Sequence, residues 1–181
     1  MALKIPVTGG LSAIGILQEL INGSILASAY VVLEIYRVIP VFRPKDALLS
    51  GARILDPVLF PNDFRFQFQK EDRGSGGNFA SGAFVRKDRR LELHFRYSLG
   101  LVRYHVGDQS ASHESYMREL GVRNQCHYPG FSEDPMAAFR DLAHDLRFAD
   151  DFLSGSAKVL RTAAKTEATD TSEQHKRAMA G

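Results

Sequence analysis

The chain has 181 residues, 44% of them hydrophobic, and a formal net charge of +2 at neutral pH. That length favours one domain with a real core, and so small a net charge gives no ground for binding nucleic acid with the chain as a whole. The single cysteine, Cys126, excludes an intramolecular disulfide and a Cys-rich zinc motif; it fits a reducing, cytoplasmic setting, and the start of the chain shows no secretory pattern.

Residues 1–42 carry only Lys4, Glu19, Glu34 and Arg37 as charges. Residues 5–18 and 20–33 are uncharged runs of 14 residues each. A spanning helix needs about 18 to 20, so no membrane span is expected. Residues 11–21 fit a helix stopping at Asn22-Gly23, and the β-branched stretch 29–41 fits an extra strand. We treat residues 1–42 as an apolar N-terminal extension, separate from an α+β domain over residues 43–160.

Residues 46–55 predict a short helix with Leu48, Leu49, Ile54 and Leu55 apolar, and Asp56-Pro57 and Phe60-Pro61 then break the chain. Residues 64–106 read as consecutive antiparallel strands. Phe64 to Gln69 alternates apolar and polar, the mark of a strand with one buried face. After the glycine-rich stretch 73–78, residues 79–86, 91–97 and 101–106 supply three more strands, giving about four.

With Leu99-Gly100 as a two-residue loop, Leu93 faces Val106, Phe95 faces Tyr104, His94 faces His105 and Arg96 faces Arg103. Leu93, Phe95 and Tyr97 then meet Val106, Tyr104 and Val102, apolar against apolar, while Leu101 faces Ser98. The cost lies on the polar face, where Arg96 opposes Arg103 and His94 opposes His105, since like charges opposite one another destabilise a sheet. A turn at Asp88-Arg89 sets Phe84 opposite Leu93. The acid Glu92 or acidic residues of a helix would relieve the repulsion, as would an anionic ligand. The charge division agrees: residues 43–108 hold 12 Lys/Arg against 8 Asp/Glu, and residues 109–181 hold 9 against 11. A basic sheet on acidic helices accounts for both.

Gly107 to Ala111 reads as turn residues, and Ser112 as the cap of a helix from His113 to Leu120, stopped by Gly121. Asp134-Pro135 opens a long helix over 135–153. Its apolar face is Met136, Phe139, Leu142, Ala143, Leu146, Ala149, Phe152 and Leu153, and its polar face is Arg140, Asp141, Asp145, Arg147 and Asp151. Residues 161–181 form a polar tail, expected to be disordered from 166. The fold expected is an antiparallel sheet of about four strands on one long and one or two short helices.

The motifs Arg73-Gly74-Ser75-Gly76-Gly77, Leu91-Glu92-Leu93-His94-Phe95-Arg96, Tyr104-His105-Val106-Gly107-Asp108 and Tyr128-Pro129-Gly130-Phe131-Ser132 together resemble a family of small uncharacterised bacterial proteins over about residues 46–160. The resemblance implies a bacterial cytosolic domain and no particular chemistry.

His94, His105 and Glu92 make a two-His, one-carboxylate set, but Arg96 and Arg103 beside them would repel a metal, so neither metal nor cofactor is expected. Tyr104, His105, Asp108, Ser110, Ser112 and His113 supply the ingredients of nucleophilic catalysis without a nucleophile elbow, and helix capping already explains several of them; no catalytic residue is assigned. Cys126 and His127 are adjacent rather than opposed, which argues against a thiol enzyme. The loop 74–78 lacks the lysine of a P-loop. The sheet aromatics point to the core, which disfavours base stacking and hence nucleic acid. The expected function is a non-enzymatic binding module that presents His94, Arg96, Arg103 and His105, with Glu92, to an acidic protein or an anionic small molecule. The alternative is a small hydrolase or transferase using His94 or His105 as general base.

Overall fold

In the structure, a computed structural model, residues 43–130 and 132–179 are described. The helix and strand expected within residues 1–42 lie outside them. The first element is α1, Pro44–Leu59, with Pro44 at its first turn and Arg43 extended before it. It runs through Pro57, where the sequence predicts a break. Its stripe of Leu48, Ala52, Leu55 and Leu59 is buried along the whole length, and that packing outlasts the loss of one helical hydrogen bond at the proline. A 3-10 turn, Phe60–Asn62, then leads through Asp63 in the left-handed region (φ 65°) into the sheet.

The sheet is a five-stranded antiparallel meander of β1 (Arg65–Gly74), β2 (Gly77–Arg86), β3 (Arg89–Phe95), β4 (Leu99–Val106) and β5 (Gln109–Ser112), in spatial order of sequence. The fifth strand comes from residues expected to form a turn. The α+β class stands. The predicted faces of β3 and β4 stand where the ladder is regular, with Leu91, Leu93, Phe95, Val102, Tyr104 and Val106 all buried. Tyr97, expected on the same face, is 75% exposed in the turn beyond the bulge, and Phe68 of β1 is 36% exposed, so not all the sheet aromatics point to the core.

The predicted pairing does not stand. Arg86 pairs with Arg89 around a Lys87-Asp88 turn, so Phe84 meets Leu91 rather than Leu93. Lys87 takes the left-handed backbone (φ 52°) such a turn requires. Between β3 and β4 the turn is Arg96-Tyr97-Ser98, with a bulge at His94/Phe95, and Leu99 already pairs with Phe95. Leu93 therefore meets Val102, four residues from its predicted partner. The burial of Leu99, only 4% exposed, explains the longer strand. Both displacements are even, so the buried face survives while the partners on the polar face change.

Ser112 caps α2, His113–Glu119, its hydroxyl accepting from the Ser115 N–H at 3.2 Å, as the sequence predicts. The helix expected over 135–153 is three pieces: α3 (Ala137–Asp145), a 3-10 turn (Leu146–Phe148) and α4 (Asp150–Leu153). Its apolar stripe is placed as predicted, with Phe139, Leu142, Leu146, Ala149 and Phe152 buried. Asp145, expected on the solvent side, is instead fully buried. The polar tail is replaced by α5, Lys158–Met179, which buries Leu160, Ala163 and Ala164 in its first half. Among the described residues no helix is long and apolar enough to cross a membrane.

Candidate functional site

The polar face of the sheet is laid out in cross-strand rows. One runs Gln67, Ala83, Glu92, Arg103, Ser112, and the next runs Lys70, Ser81, His94, Leu101. Arg103 thus faces Glu92 and not Arg96, and His105 faces Arg90 and not His94. Of the four basic groups, His94 and His105 share Glu92 and Arg103 faces it, whereas Arg96 lies in the turn beyond the ladder.

Glu92 organises the half that is neutralised. Its Oε1 accepts from His94 Nε2 at 2.9 Å and its Oε2 from His105 Nε2 at 2.8 Å. Arg90 donates to His105 Nδ1 at 3.2 Å, which leaves the proton of a neutral His105 on Nε2. Burial, with Arg90 close by, lowers the pKa of His105 despite its bond to Glu92. Burial alone would raise the Glu92 carboxyl; the hydrogen bonds from His94 and His105 outweigh it and hold the group below its usual range. Arg103 turns away to Glu167 of α5 at 2.9 Å. The same carboxylate accepts from the Ser112 N–H at 2.8 Å. Both sources of relief expected for the basic face, Glu92 and a helical acid, are therefore present.

His94, though held by Glu92, also borders a second region together with Arg96, which lies in the β3–β4 turn. With Lys70, Phe79, Tyr97 and Leu101 they line a cleft of about 460 Å³ at the β3–β4 turn, and no carboxylate lines it. Arg96 has no acidic partner among the described residues, and the only one of Lys70 is the exposed Asp72 at 3.7 Å. Both cations stand over the Phe79 ring, Lys70 at 5.2 Å and Arg96 at 5.9 Å from its centroid. The glycine turn between β1 and β2 forms the rim. Tyr97 donates its hydroxyl proton to the Gly76 carbonyl at 3.2 Å, and a Cβ on Gly76 would stand 1.8 Å from Arg96 Nη1.

A third constellation lies inside the domain. His113 Nε2 donates to Asp145 Oδ2 at 3.1 Å, and its Nδ1 accepts from the Tyr104 hydroxyl at 3.0 Å. Asp145 also accepts from the His127 N–H, the Tyr128 N–H and His144 Nδ1, at 2.9, 2.9 and 3.0 Å. Although burial opposes it, these bonds, led by that from His113, hold the Asp145 carboxyl down to about 2. Cys126 Sγ lies in the same group, and burial with Asp145 nearby pushes its thiol up to about 11. Tyr104 and His113 are both among the sequence candidates, but the acid that joins them is Asp145, not Asp108, and His105 points to the opposite face. The spacing of α3 gave no sign of this: Asp145 follows the helical period of the polar side and is buried because the helix ends on the 126–129 loop. Compared with protein-family models, curated proteins and solved structures, the chain matches none.

Proposed function

We propose that the protein is a non-enzymatic binding module that holds a small anionic ligand in the cleft lined by Lys70, His94 and Arg96. The observation that carries this reading is a concave site with two cations and an imidazole converging and no lining carboxylate. Its volume falls in the range of small-molecule sites. Phe79, Tyr97 and Leu101 supply apolar walls, so the ligand fits as an anion on an apolar or aromatic body. Arg103 and His105 serve the sheet through Glu167 and Glu92 rather than the ligand.

Calorimetry with phenyl phosphate and benzoate as probes tests this. Arg96→Glu is expected to weaken binding at least tenfold, while Arg103→Glu leaves it within a factor of about two. Equal binding by wild type and R96E would overturn the assignment. One feature favours a second reading, a hydrolase or transferase with His94 as general base: Glu92 orients this imidazole from behind, at 2.9 Å, while the ring lines the cleft. In that case His94→Gln removes turnover of p-nitrophenyl ester or phosphate probes while retaining probe binding; a wild-type protein without turnover leaves the binding module as the reading.

A further inference from the structure

We propose that His113, Cys126 and Asp145 form a binding site for one zinc-class divalent cation. Their ligand atoms, an imidazole nitrogen, a sulfur and a carboxylate oxygen, all lie within 4.8 Å of one another. A tetrahedral ion with bonds of about 2.0 to 2.3 Å sets its ligand atoms roughly 3.3 to 3.7 Å apart. His113 Nε2 and Asp145 Oδ2, at 3.1 Å, are already near that spacing.

The three donors come from separate, fixed parts of the chain. His113 is the first residue of α2, Asp145 the last of α3, and Cys126 closes the short 3-10 turn Arg123–Gln125. His113 is 3% and Asp145 0% exposed, so neither is free to swing into water. A nitrogen, sulfur and oxygen set is borderline-soft, which suits zinc or cobalt and disfavours magnesium or calcium.

The surrounding groups are those a metal site needs. Tyr104 holds the far nitrogen of the imidazole at 3.0 Å. The backbone N–H groups of His127 and Tyr128 hold the two carboxylate oxygens, and His144 braces Oδ1. On binding, the neutral imidazole changes tautomer: Nε2 gives up its proton to solvent water at the cavity and Nδ1 takes one up, so that Nδ1–H now donates to Tyr104 Oη and the Tyr104 hydroxyl turns its own proton away. Cys126 releases its thiol proton to water in the adjoining cavity, and the carboxylate stays ionised.

A fourth position is open. A cavity of about 300 Å³ is lined by His113, Cys126, His127 and Tyr128. Two of the three ligands, His113 and Cys126, border this cavity while Asp145 closes the site from inside, so water or a small ligand entering from the cavity would complete a tetrahedral shell. This site is separate from the cleft at the β3–β4 turn, and its residues are not those of the anion site.

Cobalt(II) added to the metal-free full-length protein is the test. The expected result is one ion per chain, with a thiolate-to-cobalt charge-transfer band and the intense visible bands of four-coordinate cobalt. Cys126→Ser should abolish the charge-transfer band and weaken zinc binding at least tenfold by calorimetry; Cys126 makes only one weak bond, to the Val122 carbonyl at 3.4 Å, so this variant folds. Asp145→Asn should weaken zinc in the same way. Cobalt binding without a charge-transfer band, or zinc binding unchanged in C126S, would overturn the site and assign the ion to surface histidines.

Discussion

Glu92 carries two imidazoles at once, and Glu167 performs the matching task for Arg103. Neither pairing is a surface ornament, because the side chains concerned are only 17 to 33% exposed. Although burial opposes it, the hydrogen bonds of Ser112 and the charge of Arg103 lower the Glu167 pKa. A carboxylate with a lowered folded pKa contributes stability that is present above its unfolded value and lost as pH falls through the folded one. Glu167→Gln is therefore expected to lose about 1 kcal/mol at neutral pH, with the gap to wild type closing below about pH 4; urea unfolding at both pH values checks it. An unchanged gap in acid would mean that the ion pair is not its source. At this scale the sequence made Glu92, His94, Arg103 and His105 legible as one polar face, through strict alternation, while Arg96 falls in the turn beyond the bulge. It did not make their partners legible, since Arg103 and Glu167 are 64 residues apart and Tyr104 and Asp145 belong to different layers.

Two elements meet closely where α1 crosses α3. A Cβ on Gly51 would stand 2.3 Å from the ring of Phe139, a buried side chain that stacks on Phe95 at 5.9 Å between centroids. Gly51→Ala raises helix propensity, but the clash involves a packed ring with nowhere to turn. The net expectation is a loss of about 1 to 3 kcal/mol, read from the midpoint of denaturant unfolding; a gain would show that the two helices can separate. Helix ends were readable where a local signal exists, as at Ser112 and Gly121. The break of 135–153 into three pieces was not, because the apolar stripe runs through it without interruption and only the packing of Asp145 under the 126–129 loop ends α3.

Across the whole domain, the helices bury the apolar face of the sheet while the polar face keeps its charges. The last part of α5 adds little to that core: its buried side chains are Leu160, Ala163 and Ala164, and the described side chains beyond Glu167 are exposed. Ending the chain after Asp170 should leave unfolding within about 1 kcal/mol of wild type, whereas Leu160→Ala should cost about 2 to 5 kcal/mol; thermal unfolding of both separates them, and a large loss on truncation would overturn this account of α5. The amino-acid sequence by itself determined the α+β class, the buried sides of β3 and β4 and the cap of α2, because a period of two and a hydroxyl before a helix are local signals. Only the tertiary structure decided the strand register, the division of the basic face into a neutralised half and an open cleft, and the burial of Asp145 beside His113 and Cys126. Those depend on which even register the turns permit and on contacts between distant segments, and no local spacing encodes either.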